Sequence, residues 1–120
     1  MKNTLIIGAS HKKTRFSNKA MHMLIEHGHK VFLYHPKIEE IEGIPVVKDL
    51  SDIAGLIDTI TLYVRPELLR AMSADVLSIR PKRIIFNPGT EDAELMEEYR
   101  QAGIEVLEAC TLVMLQAHEY

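Results

Sequence analysis

Five short apolar runs, set at nearly even intervals, constrain this chain more than any other feature. Leu5-Ile6-Ile7, Val31 to Tyr34, Thr59 to Val64, Arg83 to Phe86 and Ile104 to Leu107 each read as a strand. Their ends at Ile7, Tyr34, Tyr63, Phe86 and Leu107 lie 27, 29, 23 and 21 residues apart. Intervals of this size, each holding a helix, are those of strand–helix–strand units. Short strands buried on both faces need helices on both sides, which predicts an α/β, doubly wound and mainly parallel sheet. With a further short run at Ile44 to Val47, the expected sheet has five to six strands. Right-handed crossovers then gather all the strand C-terminal ends on one edge, where sheets of this kind bind ligands.

The helices follow from spacing and punctuation. Ala20, Met21, Met23, Leu24 and His27 recur at helical spacing in a segment from Ser17 to His27 that stops at Gly28. Ser51 is the expected cap of a brief helix reaching about Leu56. Pro66 suits the first turn of a helix to Ile79, with Leu69, Met72, Val76 and Ile79 turned inward. Thr90 is the expected cap of a helix whose first turn holds Glu91 and Asp92. A short terminal helix is expected from Thr111 to about His118. No repeat, long linker or low-complexity stretch interrupts the pattern, so residues 1–120 read as one domain.

The net charge of −3 conceals an asymmetry. Lys2, Lys12, Lys13, Arg15 and Lys19 precede the first acid, Glu26, and the rest of the chain carries nine cations against seventeen anions. A basic first quarter on an acidic protein suggests one localised anion site, and argues against a surface that coats nucleic acid. A solvated basic loop is the alternative. No run is apolar enough to span a membrane, and the N-terminal apolar run is too short for a signal peptide. Cys110 is the lone cysteine, which excludes an internal disulfide and fits a cytoplasmic protein.

The first loop, Gly8 to Ser17, is the most informative. Gly8, Ala9 and Ser10 are small enough for a phosphate to approach the backbone and the following helix N-terminus. Ser10, Ser17, Lys13 and Arg15 add donors around Phe16. The loop is neither the GxGxxG fingerprint nor a GK[ST] phosphate loop. After the second strand, a nicotinamide dinucleotide site would place an acid, but the chain has Tyr34-His35-Pro36-Lys37. A cation there suits a ribose with an additional phosphate, as in NADP or coenzyme A. Tyr63-Val64-Arg65-Pro66 is either a surface turn or a lip flanking an adenine. Asn87-Pro88-Gly89 forms a turn whose amides would face the same edge. The six histidines carry no metal-site spacing, and no nucleophile–base order or carboxylate pair stands out, so no metal and no catalytic residue is assigned. Cys110 fits better as a small buried hydrophobe than as a reactive thiol.

These pieces together resemble the small stand-alone CoA-binding domain proteins, relatives of the CoA-binding domain of succinyl-CoA synthetase α-subunits. The resemblance rests on Gly8-Ala9-Ser10 with Ser17, Leu24 to Val31, His35-Pro36, Glu42 to Val46, Asp58 to Pro66, Ile85 to Glu91, and Ala102 to Val106 leading to Cys110. It implies a Rossmann-like fold that binds coenzyme A or an acyl-CoA. Gly8, Ala9, Ser10 and Ser17 would lie near the phosphates, His35, Pro36 and Lys37 at the adenosine end, and Val64, Arg65 and Pro66 beside the nucleotide. The chain has no counterpart of the synthetase's second domain with its phosphorylated histidine, so the expectation is a binding or sensing module rather than an enzyme. The alternatives are an NADP-dependent or CoA-using enzyme whose site a homodimer or protein partner completes, and an interaction protein with a vestigial pocket.

Overall fold

In a computed structural model, which describes residues 1–53 and 55–120, seven strands form one sheet in the order β3-β4-β2-β1-β5-β6-β7. The strands are β1 (Asn3–Ile7), β2 (Lys30–Tyr34), β3 (Glu40–Ile41), β4 (Ile44–Val47), β5 (Thr59–Leu62), β6 (Arg83–Phe86) and β7 (Glu105–Glu108). All neighbours run parallel except the β3–β4 hairpin. The doubly wound Rossmann-like architecture expected from the sequence is present, with more strands than the expected five to six. The added one is β3, a two-residue strand that pairs Glu40 with Pro45 and Ile41 with Ile44.

Four helices cover the sheet: α1 (Phe16–Glu26), α2 (Pro66–Ile79), α3 (Ala93–Gln101) and α4 (Thr111–Gln116). Residue parity along the strands sorts the core into two layers. Leu5, Ile7, Ile60, Leu62, Ile84 and Phe86 pack with Leu69 and Val76 of α2 and with Leu95, Met96 and Tyr99 of α3. Ile6 and Leu33 pack with Met21 and Leu24 of α1 and Leu115 of α4. Each such side chain, fully buried, contributes about 1.5–3 kcal/mol of transfer free energy.

Several local expectations change. His27 lies outside α1 and is exposed, its Nδ1 bonded to the Met23 carbonyl at 2.8 Å. The second short helix is a 3-10 turn at Leu50–Asp52, capped by Asp49 rather than Ser51 because the Asp49 carboxylate accepts the Ser51 amide. The expected extension toward Leu56 passes through Ala54, which lies outside the described residues. In α2, Ser73 joins Leu69 and Val76 as buried, whereas Met72 and Ile79 are only half-buried. The cap of α3 is Asp92, whose Oδ1 accepts the Glu94 and Leu95 amides at 3.0 and 3.2 Å. Thr90 instead turns its hydroxyl and amide back to the Asn87 carbonyl.

The end of the sheet away from the strand C-termini is basic and half-buried. His29 Nδ1 accepts the Lys2 amide at 2.9 Å, and its ring stands edge-on to Tyr120, over which Arg83 also packs. Burial, and then the N-terminal ammonium, Lys2, His27 and Arg83, push the His29 pKa below its usual value near 6.5. The folded state therefore favours the neutral ring, and this contribution is fully present above pH 6.5. It is lost as the pH falls from there through the depressed folded value. Urea midpoints should decline below pH 6.5. The decline should be shallower in His29→Gln; an unchanged slope would exclude the assignment.

Candidate functional site

The chain moves outward from β1 to β2 and β4, then returns to β5 on the other side of β1. Strand order thus reverses between β1 and β5. The loops after these two strands meet there at backbone distance. Gly8 has φ +94, and a Cβ at that position would lie 2.8 Å from the Tyr63 carbonyl oxygen. Only glycine allows both the backbone angle and the approach. Beside this contact opens a cleft of about 850 Å³, large for a small-molecule site.

The cleft wall gathers Gly8, Ala9, Ser10, Arg15, Phe16 and Ser17 from the first loop and α1. It adds His35, Pro36 and Lys37 after β2, Val64 and Arg65 after β5, and Pro88 and Gly89 after β6. Three residues singled out in the sequence stand apart from this wall. Lys13 faces a shallower groove between α1 and α4, and Pro66 serves as the first residue of α2. Asn87 is 2% exposed and fully engaged. Its Nδ2 donates to the Thr61 hydroxyl and the Leu62 carbonyl, while its Oδ1 accepts the Thr111 amide. Asn87 joins the ends of β5 and β6 to the start of α4.

Other wall residues escaped the sequence-based selection: His11, Lys12, Tyr34, Ile38, Leu68, Met72 and Thr90. Lys12 belongs to the acid-free first quarter, a usable signal; Leu68 and Met72 look like ordinary helix positions. Tyr63 lines the cleft, but its side chain packs with the core beneath α1 and α4. Burial pushes its phenol up to about 12.

Lys12, Arg15, Lys37 and Arg65 line the cleft, and no Asp or Glu does. The Gly8 and Ala9 amides both point to the Tyr34 carbonyl, at 3.3 and 3.2 Å, so the smallest residues of the loop are not its free donors. Further on, Asn18 Nδ2 holds the Ser10 carbonyl at 2.8 Å and Ser10 Oγ accepts the Lys12 amide at 3.1 Å. No side chain caps α1, whose amides at Phe16, Ser17 and Asn18 precede the first helical bond, Lys19 N to Arg15 O. Nor does a side chain cap α2, which begins beside Arg65. The α1 start, uncapped, beside cations and with no acid in its first turn, favours an anion; the first turn of α2 carries Glu67 as well as its neighbour Arg65.

At the β2 end, His35 Nδ1 accepts the Lys37 amide at 3.0 Å, leaving the ring proton on Nε2. Burial first, then Lys37 and His11, lower its pKa below 6.5, so the ring is a neutral donor at pH 7. Burial, with Asp49 and Asp75 behind it, raises the Tyr34 phenol and keeps it protonated. Phe16, 67% exposed, and Leu68, 50% exposed, add apolar surface at the rim.

Residues 2–116 match the family model described as a CoA binding domain. The chain belongs to the CoA-binding domain family. A crystal structure of an uncharacterized protein superposes with a TM-score of 0.94 at 41% identity, covering 100% of this chain and 98% of that one. The uncharacterized protein YneT of Bacillus subtilis is 23% identical over 106 residues, 88% of this chain and 78% of its own length. A dinucleotide-forming acetyl-coenzyme A synthetase 1 from Ca. Korarchaeum cryptofilum shares the fold at a TM-score of 0.76 and 19% identity. That match spans 90% of this chain and 25% of the synthetase. Among the described residues no helix is long and apolar enough to cross a membrane, and no group of His, Cys, Asp and Glu could hold a metal ion.

The two glycines on the cleft wall separate steric from conformational demands. Gly8→Ala should cost roughly 2–4 kcal/mol, because the Cβ meets backbone as well as a strained φ. Gly89 has φ +93 and open space where a Cβ would stand, so Gly89→Ala should cost only about 1–2 kcal/mol. Denaturant midpoints of the two variants check the order; equal losses would refute the close-approach argument.

Proposed function

We propose that this chain binds coenzyme A or an acyl-CoA in the cleft at the β1–β5 reversal, as a non-catalytic binding or sensing module of the cytoplasm. One observation carries the proposal. A cleft of about 850 Å³ is lined by four fixed cations and no acid in a chain of net charge −3 that belongs to the CoA-binding domain family. Coenzyme A matches this wall chemically. Its diphosphate and 3′-phosphate suit Lys12, Arg15, Lys37, Arg65 and the uncapped α1 amides. Its adenine and pantetheine suit Tyr34, Val64, Leu68 and Met72. His35 and Lys37 take the adenosine end, where the Nε2 proton and the ammonium can both donate to the 3′-phosphate. No Asp or Glu lines the wall, and the Glu91 carboxylate beside it is engaged by the Gly89 amide rather than free to serve as general base. The proposed role is therefore to hold the cofactor rather than transform it.

Calorimetry tests this directly. Coenzyme A should bind, and dephospho-CoA should bind about tenfold more weakly, as expected for loss of a charge-assisted contact. Lys37→Ala should close most of that gap, and Arg65→Ala should weaken both ligands. No heat with millimolar coenzyme A would exclude the proposal, and acyl-CoA hydrolysis or transfer by the pure protein would exclude its non-catalytic part.

A further inference from the structure

The loop after β6 holds an internal anion beside the cleft: Glu91 is not part of the wall, but its carboxylate accepts the amide of Gly89, which is. Pro88 has no N–H, and the Thr90 amide and hydroxyl are both committed to the Asn87 carbonyl, at 3.0 and 2.7 Å. Among the residues of this loop on the cleft wall, that leaves the Gly89 amide as the donor to offer a ligand. Its present acceptor is the Glu91 carboxylate, Oε1 at 2.8 Å. Glu91 is exposed and forms no ion pair among the described residues. Nothing stands within 4 Å of the place a Gly89 Cβ would take, so the approach to this turn is open.

Position in the sheet says which part of a ligand arrives there. From β2 to β6 the order is β2-β1-β5-β6, three inter-strand steps of about 4.8 Å each. An elongated ligand whose adenosine end lies at His35–Lys37 therefore brings its opposite end toward Pro88–Thr90. In coenzyme A that end is the pantetheine thiol or its thioester. We propose that Glu91 is a specificity-determining residue for the acyl end: its carboxylate competes for the Gly89 amide with a carbonyl oxygen of the ligand, and it turns away acyl groups that end in a carboxylate. The inference rests on the coenzyme A reading of the cleft. A neutral acyl thioester displaces Glu91 from the amide and leaves the carboxylate solvated. A dicarboxylic thioester brings a second negative charge to the same turn, where the neighbouring cation, Arg70, is already held by the Asp92 carboxylate next to Glu91.

Butyryl-CoA and succinyl-CoA have acyl chains of equal carbon number and differ by the terminal carboxylate, so their affinity ratio measures the effect. The wild-type protein should bind succinyl-CoA about tenfold more weakly than butyryl-CoA, the scale of like-charge repulsion near a surface. Glu91→Gln keeps an acceptor for Gly89 but removes the charge, and should bring the ratio to within about twofold. Glu91→Ala removes both, and should also tighten butyryl-CoA by about threefold, because no internal hydrogen bond has to be broken. The Gly89 amide proton resonance of the ligand-free protein should shift upfield in Glu91→Ala. A ratio near one in the wild type, a ratio unchanged in Glu91→Gln, or an unmoved Gly89 resonance overturns the role of Glu91 while coenzyme A binding stands. Absence of binding by every thioester and by coenzyme A itself overturns the cleft assignment beneath it.

Discussion

The approach of Gly8 to the Tyr63 carbonyl is the constraint on which the rest of the site depends. At a strand-order reversal the loops after β1 and β5 diverge toward opposite faces, one feeding α1 and the other α2. The crevice between them is useful only if the loops begin together and then separate. A Cβ at residue 8 would push the start of the crevice apart, because the nearest atoms are backbone rather than a side chain able to turn aside. The Tyr34 carbonyl reinforces the arrangement by accepting both the Gly8 and Ala9 amides, which ties the β1 loop to the end of β2. Three strand ends are thereby fixed before any ligand group is considered.

The second fastening is Asn87, which does at the β6 end what Gly8 does at the centre. Its side chain satisfies donors and acceptors from β5 and α4. Its carbonyl closes the turn through Thr90. A buried amide with all these partners is costly to replace, since each group left without one loses about 1–3 kcal/mol. This rigid anchor leaves the Pro88–Gly89 turn projecting from a fixed base, so the orientation of the Gly89 amide follows from core packing rather than from the loop itself. Pre-organisation of this kind lowers the ordering cost that ligand binding must offset.

How much of this was legible in the sequence depends on which forces act locally. The strands of the central sheet were legible because burial on both faces demands continuous apolar runs, and such runs are rare elsewhere. The β3 strand was not, since Glu40–Ile41 is half polar and exists only through its pairing with Ile44 and Pro45. Thr90 and Asp92 are both good caps, and the choice between them was made by Asn87, three residues upstream of Thr90 and buried by a helix more than twenty residues downstream. The orientation of Tyr63 was available in principle. Leu62 packs toward α2 and α3, and strand alternation continued by one residue sends Tyr63 to the α1–α4 face. Asn87 and Pro66 looked like cleft residues by position, but side-chain engagement and helix start gave them other roles. Arg15, Lys37 and Arg65 were legible loop by loop, and Lys12 only as part of the acid-free first quarter. The freedom of this cluster from acids became visible only when the loops were brought together.

That freedom from acids resolves the tension between a net charge of −3 and a site for a polyanion. The molecule measures 35 × 32 × 26 Å, whereas electrostatic interactions through salt water fade over about 8–10 Å. The exposed carboxylates of Glu97 and Glu98 on α3 and of Glu105 and Glu108 on β7 belong to the far edge of the sheet. They influence the solubility of the whole protein more than the potential at the reversal point. Within the screening distance the wall supplies cations, peptide N–H groups and a neutral His35, which together decide the sign of the local field. The parallel topology is what makes this separation possible. It gathers all the strand C-termini and the starts of α1 and α2 at one rim, so a few basic residues suffice there. Glu67 in the first turn of α2 and Glu91 after β6 are acids that stand at this rim, outside the cleft wall itself.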